Sequence, residues 1–151
     1  MTDFSTVEKN LRDRGYKVCS FGSGKEAADY LAAVLKGKSV GIGGSMTIKE
    51  LGLYDRLLEG STVYWHWETG PETRADAASA QVYLTSVNGL AETGEIINID
   101  GAGNRVASTL YGHEKVYYIV GKNKLAETYD DALWRARNIA SPKNARKLGR
   151  K

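Results

Sequence analysis

The chain has 151 residues, of which 42% are hydrophobic and 26% charged, and its formal net charge is +3. This length and balance fit one ordinary globular domain over residues 1–151, large enough for a real core. No apolar stretch reaches the ~20 residues of a membrane helix, and the N-terminus is not a signal sequence. The single cysteine, Cys19, excludes an internal disulfide and a cysteine-rich metal site, so we expect a cytoplasmic protein.

The excess of positive charge is concentrated in a basic tail at the end of the chain. Five lysines and arginines lie within residues 143–151, a segment without acidic residues, so the remainder has a net charge of −2. A short basic end of this kind is typical of a solvated tail, and no aromatic RNA-binding motif accompanies it. Nucleic acid is therefore not the expected partner.

Helices and strands alternate along the first half of the chain. Apolar residues recur at helical spacing in some segments and form short continuous runs in others. Ser23 and Glu26 have the spacing of a capping box, which marks the start of a helix. In chain order, the predicted elements are a helix over 4–14, a strand over 16–21, a helix after Ser23, a strand over 39–43 and a helix from near Ser45.

The second half of the chain continues the alternation. Strands are predicted over residues 61–67, 81–86, 95–100 and 115–121, with a short helix after Pro71 and a last helix over about 128–140 that Pro142 ends. The run KVYYIVG at 115–121 is typical of a central strand covered on both faces. Alternating strands and helices predict an α/β fold: three αβα layers with a mostly parallel sheet.

A glycine-rich loop follows the strand predicted at 39–43. In sheets of this kind ligands bind at the carboxyl ends of the strands. The glycines of GIGGSMT let a backbone approach a ligand closely, and the following helix start offers N–H groups to an anion. We assign Gly43, Gly44, Ser45 and Thr47 as ligand-binding candidates, with Ser45 as a plain helix cap as the alternative. Neither a Walker loop nor a dinucleotide fingerprint is present.

A second loop begins at Asn88, where the strand QVYLTS ends. Asn88 is a ligand-binding candidate, and Glu92 and Glu95 are candidate catalytic acids or bases. The pairs Asn88-Gly89 and Thr93-Gly94 are also ordinary turn dipeptides, which leaves a purely structural interpretation open.

A third loop, DGAGNR at 100–105, places a carboxylate, an amide and a guanidinium around two glycines. Asp100 is the candidate general acid or base, and Arg105 is suited to bind a carboxylate or phosphate through two parallel hydrogen bonds. Gly101, Gly103 and Asn104 complete the ligand-binding candidates of this loop.

Two further groups of residues can carry charge near a strand end. Lys122 and Lys124 follow the strand KVYYIVG and would raise the positive potential around an anionic ligand, unless they form only a solvated turn. His66 alternates with two tryptophans on a predicted strand and is expected to face away from both. Because the sequence has only one other histidine, no metal site is predicted.

Four longer segments together resemble the LUD domain family, the lactate-utilisation protein domain of bacterial L-lactate oxidation operons. They are GIGGSMTIKELGL, YLTSVNGLAETGEIINIDGAGNRVASTLYG, KVYYIVGKNKL and ALWRARNIASPKNARKL. The resemblance runs from about residue 39 to 148 and is strongest over 88–105. It implies a NagB/RpiA/CoA-transferase-like fold, in which a glycine-rich loop ending in Ser or Thr holds a substrate phosphate. Gly43, Gly44, Ser45 and Thr47 resemble that loop.

The sequence departs from its relatives in two places. Asp100-Gly101-Ala102 resembles the acid/base motif of ribose-5-phosphate isomerase, but Gly103-Asn104 stands where that motif continues with a carboxylate. Many family members also continue into a cysteine-rich tail beyond the segment that matches NARKL. Those cysteines are not in this sequence, so we expect no iron–sulfur cluster and no other cofactor on this chain.

Two classes of function follow from the resemblance. The first is an accessory component of an iron–sulfur oxidoreductase system in lactate utilisation, which binds a small anionic ligand that bears a carboxylate or a phosphate. The second is a free-standing enzyme of acyl-CoA transferase, hydrolase or sugar-phosphate isomerase type. The lack of an assured nucleophile or cofactor fingerprint favours the first class.

The aromatic content of the chain bears on its oligomeric state. Interface cores favour aromatic residues, and the sequence has more of them than one core of this size needs. We therefore predict a homodimer, on the basis of Trp65, Trp67, Tyr111, Tyr117 and Tyr118.

Overall fold

The computed structural model describes residues 4–149 and divides them between two compact units. The core unit comprises Phe21–Ser86 and Ala102–Ile119. The terminal unit comprises the described parts of Met1–Ser20, Val87–Gly101 and Val120–Lys151. Each unit contains its own sheet. The prediction of a single domain over residues 1–151 stays a prediction.

The helices and strands follow one another in short segments. The helices are α1 (Phe4–Asp13), α2 (Gly24–Val34), α3 (Met46–Glu50), α4 (Leu53–Leu58), α5 (His66–Thr69), α6 (Arg74–Ser79), α7 (Asn104–Leu110), α8 (Tyr129–Arg135) and α9 (Ser141–Lys147). The strands are β1 (Ser39–Ile42), β2 (Thr62–Trp65), β3 (Val82–Thr85), β4 (Gly89–Ala91), β5 (Ile96–Ile97), β6 (Lys115–Tyr118) and β7 (Leu125–Ala126). Two 3-10 turns, Pro71–Thr73 and Lys122–Lys124, and a π-helical segment, Ala136–Ala140, lie between them. None of the helices in this part of the chain is long and apolar enough to span a bilayer.

The core unit is built on a four-stranded parallel sheet. Its strands lie in the order β2-β1-β3-β6, with Val40 of β1 opposite Val63 of β2 and Val82 of β3. Parallel neighbours require crossover connections, which the intervening helices supply. The two central strands are buried along most of their length, so the sheet forms the middle of the core.

One face of this sheet is covered by α2, α3 and α4. Ala28, Leu31 and Leu35 recur at helical spacing and turn one stripe of α2 inward. Together with apolar residues of α3 and α4 they pack against the β1, β2 and β3 side chains that point to the same side. Burial of this apolar surface is the main stabilisation of the unit.

The opposite face is covered by α6 and α7. Gly41 lies between two inward-facing residues of β1 and therefore points to this second face. A Cβ on Gly41 would lie only 2.2 Å from the carbonyl oxygen of Ala77 on α6, so the helix approaches the strand as closely as a glycine allows. Helices on both faces of a parallel sheet confirm the predicted three-layer αβα class.

The terminal unit contains a small mixed sheet in the order β5-β4-β7. β4 pairs with β5 in the antiparallel sense, across the predicted turn at Thr93-Gly94, and with β7 in the parallel sense. Helix α8 packs closely on β4, because a Cβ on Gly89 would lie 2.5 Å from the carbonyl oxygen of Ala132. The guanidinium of Arg135 donates to the backbone oxygens of Asn88 and Asn123 at 2.6 and 2.8 Å, and burial lowers its pKa.

Three sequence predictions are wrong in their details. Residues 16–21 form no strand, since they are largely exposed and pair with no other strand among the described residues. β6 is an edge strand of the core sheet rather than a central one, and only partly buried. Pro142 does not end the last helix but lies in the first turn of α9, where a missing N–H is tolerated.

The aromatic residues that suggested a homodimer differ widely in exposure. Trp65 is 1% exposed and lies in the hydrophobic core beside the four-stranded sheet, so it is not available to an interface. Tyr117 packs partly against the same core, whereas Tyr111 is 91% exposed. The homodimer stays a prediction, with Tyr111 as its best-placed aromatic residue.

Candidate functional site

A cavity of about 320 Å³ lies within the core unit, at the side of the sheet covered by α6 and α7. Ile42 ends β1 and His66 directly follows β2, so the cavity reaches the carboxyl ends of two neighbouring strands. Its volume is in the range of small-molecule sites. We call it the α6–α7 cavity; its lining residues are Ile42, His66, Arg74, Ala77, Ala78, Tyr83, Asn104, Ala107, Ser108 and Tyr111.

His66 reaches the cavity because β2 stops one residue earlier. The indole of Trp65 donates to the carbonyl oxygen of Gly43 at 3.1 Å, and the chain then turns into α5. The Trp65 and Trp67 rings stack with centroids 5.5 Å apart, which a continuous strand from 61 to 67 would also allow. His66 however contacts the edge of Trp67 and lines the cavity, so the expected strand alternation does not apply to it.

Arg74 is the cation of the cavity. Pro71 opens a 3-10 turn that runs directly into α6, and Arg74 is the first residue of that helix. Its guanidinium is exposed and forms no ion pair or hydrogen bond within residues 4–149. Burial and the Arg74 charge, in that order, lower the pKa of His66, so the imidazole is neutral at pH 7. The cavity therefore carries one fixed positive charge beside a neutral imidazole.

Two uncharged polar side chains face the same cavity from α7. Ser108 is only 6% exposed, yet its hydroxyl forms no hydrogen bond to any other described residue. Asn104 is half-buried, and its side-chain amide likewise forms no hydrogen bond to another described residue. A ligand in the cavity can form hydrogen bonds with both of these groups. These groups and Arg74 together suit a small anion.

The wall of the cavity on β3 is rigidly supported. Tyr83 is 2% exposed, and its ring stacks on His113 with centroids 4.9 Å apart and an interplanar angle of 24°. Nδ1 of His113 lies 2.7 Å from the carbonyl oxygen of Ala80, a contact that requires a proton on that nitrogen. The His113 ring, held at Ala80, thus packs against the Tyr83 ring.

The glycine-rich loop is packed against side chains of its own unit. A Cβ on Gly43 would lie 2.8 Å from the Tyr83 hydroxyl and 3.1 Å from Cγ of Arg105, and one on Gly44 would meet the Trp67 ring at 3.1 Å. The N–H of Gly43 donates to the carbonyl oxygen of Leu84 at 3.0 Å. These contacts account for both glycines without a ligand.

The two hydroxyl residues of that loop start the next helix. Ser45 is buried, and its hydroxyl accepts a hydrogen bond from the N–H of Ile48 at 3.2 Å, as an N-cap does. Thr47 is half-buried on α3. The alternative reading of Ser45 as a helix cap therefore describes its geometry, and its role in ligand binding stays a prediction.

The third loop runs from the terminal unit into the core unit. Gly103 has a φ of 79°, which glycine adopts easily, and precedes α7. Asn104 lines the cavity, and Arg105 is 7% exposed with its side-chain stem next to Gly43. Asp100 and Gly101 belong to the terminal unit. The stem of Arg105 thus lies beside the glycine-rich loop. The ligand-binding role of Arg105 and the catalytic role of Asp100 stay predictions.

The second loop is held by hydrogen bonds within the terminal unit. The side-chain oxygen of Asn88 accepts from the N–H of Ile99 at 2.7 Å. Glu95 forms an ion pair with Arg14 at 2.6 Å and accepts a hydrogen bond from the Thr93 hydroxyl, which is the main cause of its lowered pKa. These contacts hold the loop, and the roles of Asn88 in ligand binding and of Glu95 in catalysis stay predictions.

The remaining predicted residues also belong to the terminal unit. The backbone N–H of Glu92 donates to Ala126 at 2.8 Å, which joins β4 to β7, and its side chain is half-buried. Lys122 is exposed, with its ammonium 5.9 Å from the ring centroid of Phe4. Lys124 ends the 3-10 turn and is half-buried. Their roles in ligand binding or catalysis stay predictions.

Sequence reasoning missed most of the polar residues of the cavity. His66 was assigned to a strand, and Arg74 and Ser108 lie inside helices with no motif around them. One signal was available for Arg74: a proline turn that opens a helix shortly after a strand end places the next cation near that edge of the sheet. Asn104 is the one predicted residue that lines the cavity.

Within residues 4–149, no three His, Cys, Asp or Glu side chains are grouped as ligands of a metal ion.

The chain was compared with protein families, curated proteins and solved structures. Comparison with curated proteins, and with solved structures, finds no significant match in either case. A family profile described as the LUD domain matches residues 5–151, which is almost the whole chain. The chain therefore belongs to the LUD domain family.

Proposed function

We propose that this LUD domain protein binds a small carboxylate- or phosphate-bearing anion in the α6–α7 cavity. We further propose that it does so in the cytoplasm, as an accessory component of an iron–sulfur oxidoreductase system in lactate utilisation. The family supports the metabolic role, and one observation supports the ligand class. Arg74, His66 and Ser108 line one cavity, and their side chains form no hydrogen bond within the described chain.

The cavity offers complementary contacts to such a ligand. The Arg74 guanidinium can bind two oxygens of a carboxylate or phosphate through parallel N–H donors. The Ser108 hydroxyl and the Asn104 amide can donate to the same anion or to a polar group beside it. Ala77, Ala78 and Ala107 leave apolar walls, which suit a short carbon skeleton.

An iron–sulfur cluster belongs on a partner protein in this proposal. Such clusters are usually held by four cysteine thiolates. The sequence has one cysteine, Cys19, which is exposed. The residues present therefore do not fit a cluster, and the contribution of this chain is to bind the anion for its partner.

Substitution of Arg74 tests the ligand site. Arg74→Gln is expected to weaken binding of L-lactate, acetate or inorganic phosphate by about 10- to 100-fold, because a charged hydrogen bond is lost. Isothermal titration calorimetry measures this change. Arg137→Gln removes an exposed guanidinium of the terminal unit and is the matched control, which should bind like the wild type. Equal affinities in the two variants would overturn the assignment of the cavity.

A strain that lacks this chain tests the metabolic role. Growth on L-lactate as carbon source should be lost and should return with the wild-type gene but only weakly with Arg74→Gln. Unimpaired growth of the deletion strain would contradict the role. Turnover of a CoA thioester or a sugar phosphate by the isolated protein would instead favour the enzyme alternative.

A further inference from the structure

We infer that His66 takes up a proton when an anion binds beside Arg74, so that the bound ligand creates the second positive charge of the cavity. The inference rests on the proposed function, since it concerns the same site. It adds a regulatory property, an anion affinity that increases as the pH falls.

The geometry places the imidazole and the guanidinium around one small space. His66 lies at the end of β2 and Arg74 at the start of α6, and both line the cavity of about 320 Å³. A ligand in contact with Arg74 is therefore close to the imidazole. Because His66 is half-buried, charge interactions with its ring are screened less than in water. The imidazole forms no hydrogen bond within residues 4–149, so a ring nitrogen is available to the ligand.

The charges around His66 are few. Its partners in the cavity that titrate or carry charge are Arg74 on α6, Tyr83 on β3 and Tyr111 beyond α7. Other titratable groups on its own helix and on the elements packed against it are Glu68 on α5, Tyr64 on β2, Glu72 in the 3-10 turn and Asp76 on α6. The three carboxylates are exposed, and Arg74 is the charge that acts on the imidazole.

An anion reverses the electrostatic balance at the imidazole. In the free protein, burial and the Arg74 charge both disfavour the protonated ring and lower the pKa of His66. A bound oxyanion offsets the Arg74 charge and adds an attractive one, so the pKa of His66 rises. The proton comes from solvent and binds the unprotonated ring nitrogen, where it can be donated to the anion. No covalent bond to the ligand is formed.

Calorimetry in two buffers measures this proton uptake directly. Acetate is the probe, because a carboxylate stays ionised above about pH 6. The titration is made near pH 6.5 in a zwitterionic buffer and in an amine buffer that differ in their enthalpy of ionisation. The difference in observed heat gives the protons taken up per acetate bound. We expect a fraction of one proton for the wild type and for Arg137→Gln, and none for His66→Gln.

NMR titration of the wild-type imidazole signals provides a second measurement, for which a variant serves only to assign the signals. The sequence has two histidines, His66 and His113, and the spectrum of His66→Gln or His66→Asn assigns them. The midpoint of the His66 titration should move to higher pH in saturating acetate. Acetate binding without proton uptake and without this shift would overturn the inference and leave the proposed function standing. Absence of binding by acetate, L-lactate and phosphate at every pH would overturn the proposed function itself.

Discussion

The glycine-rich loop and the α6–α7 cavity lie in the same unit but use their polar groups in opposite ways. In the loop, the Gly43 N–H and the Ser45 hydroxyl are hydrogen-bonded to the chain itself, and aromatic rings pack against the glycines. In the cavity, Arg74 and Ser108 form no side-chain hydrogen bond within the described residues. Glycines thus indicate that some group packs closely on the backbone, but that group can be part of the protein itself. Polar side chains without a partner indicate a ligand.

The largest expected effect concerns Gly41, the first glycine of the loop segment. In Gly41→Ala the added Cβ would lie 2.2 Å from the backbone oxygen of Ala77, and a backbone group cannot move aside as a side chain can. We expect the free energy of unfolding to fall by about 3 kcal/mol. Urea denaturation followed by circular dichroism measures it.

A matched glycine in the same unit serves as the control for that experiment. In Gly22→Ala the added Cβ would meet only the flexible Glu26 carboxylate, at an ordinary 3.4 Å. Its stability should stay within about 0.5 kcal/mol of the wild type. Similar losses in the two variants would contradict the argument that α6 requires a glycine in β1.

Gly43→Ala separates packing from ligand binding in the loop. The new Cβ would press on the Tyr83 hydroxyl and the Arg105 stem, so we expect a loss of about 1–2 kcal/mol in the free energy of unfolding. If the loop only packs, the acetate affinity of the folded variant should match that of the wild type by calorimetry. A selective loss of affinity at unchanged stability would instead restore the loop as the anion site.

Ser108→Ala tests the cavity side of the comparison. Removal of the hydroxyl should weaken acetate binding by about 1 kcal/mol, or roughly 5-fold. It should not destabilise the free protein, because the hydroxyl has no described partner to lose. Calorimetry and thermal melts measure the two quantities. Ser79→Ala, which removes an exposed hydroxyl of α6 bonded to Ala75, should leave the affinity unchanged.

The smallest expected effect is a pH dependence of stability from His66. Its pKa in the folded protein is below the ordinary value of 6.5, so the unfolded chain binds more protons in the interval between the two. The His66 contribution to stability is therefore complete above pH 6.5 and is lost as the pH falls toward the folded-state pKa. Between about pH 5 and pH 7, His66→Gln should show a flatter dependence of the unfolding free energy than the wild type. Identical slopes in urea titrations would exclude the effect.

Local rules predicted much of the fold. The capping residue Ser23 accepts the expected backbone hydrogen bond, and the cores of five predicted strands are strands in the structure. The prediction of β6 as a central strand was wrong. An apolar run indicates that a strand is covered by other residues, but it does not indicate where the strand lies in the sheet. Residues 16–21 have the composition of a strand but no neighbouring strand to pair with among the described residues. Both errors concern partners distant in sequence.

The candidate site was harder to predict than the fold. Glycines and turn residues are visible in a sequence, and they led to the loops at 41–47, 88–95 and 100–105. Arg74 and Ser108 are ordinary helix residues, and only the packing of α6 beside α7 on the sheet makes them neighbours. A sequence shows which side chains can donate a hydrogen bond, but not which of them the fold leaves without an acceptor.

The interleaved arrangement of the two units sets an order on their assembly during synthesis. All segments of the core unit have been made once residue 119 has left the ribosome. The terminal unit still lacks β7 and α8 at that moment, although its first helix was made at the start. Domains generally fold as they are completed, N-terminal segments first. When residue 119 has been made, the core unit therefore has all of its strands, whereas β4 of the terminal unit has its partner β5 but not yet β7 or α8.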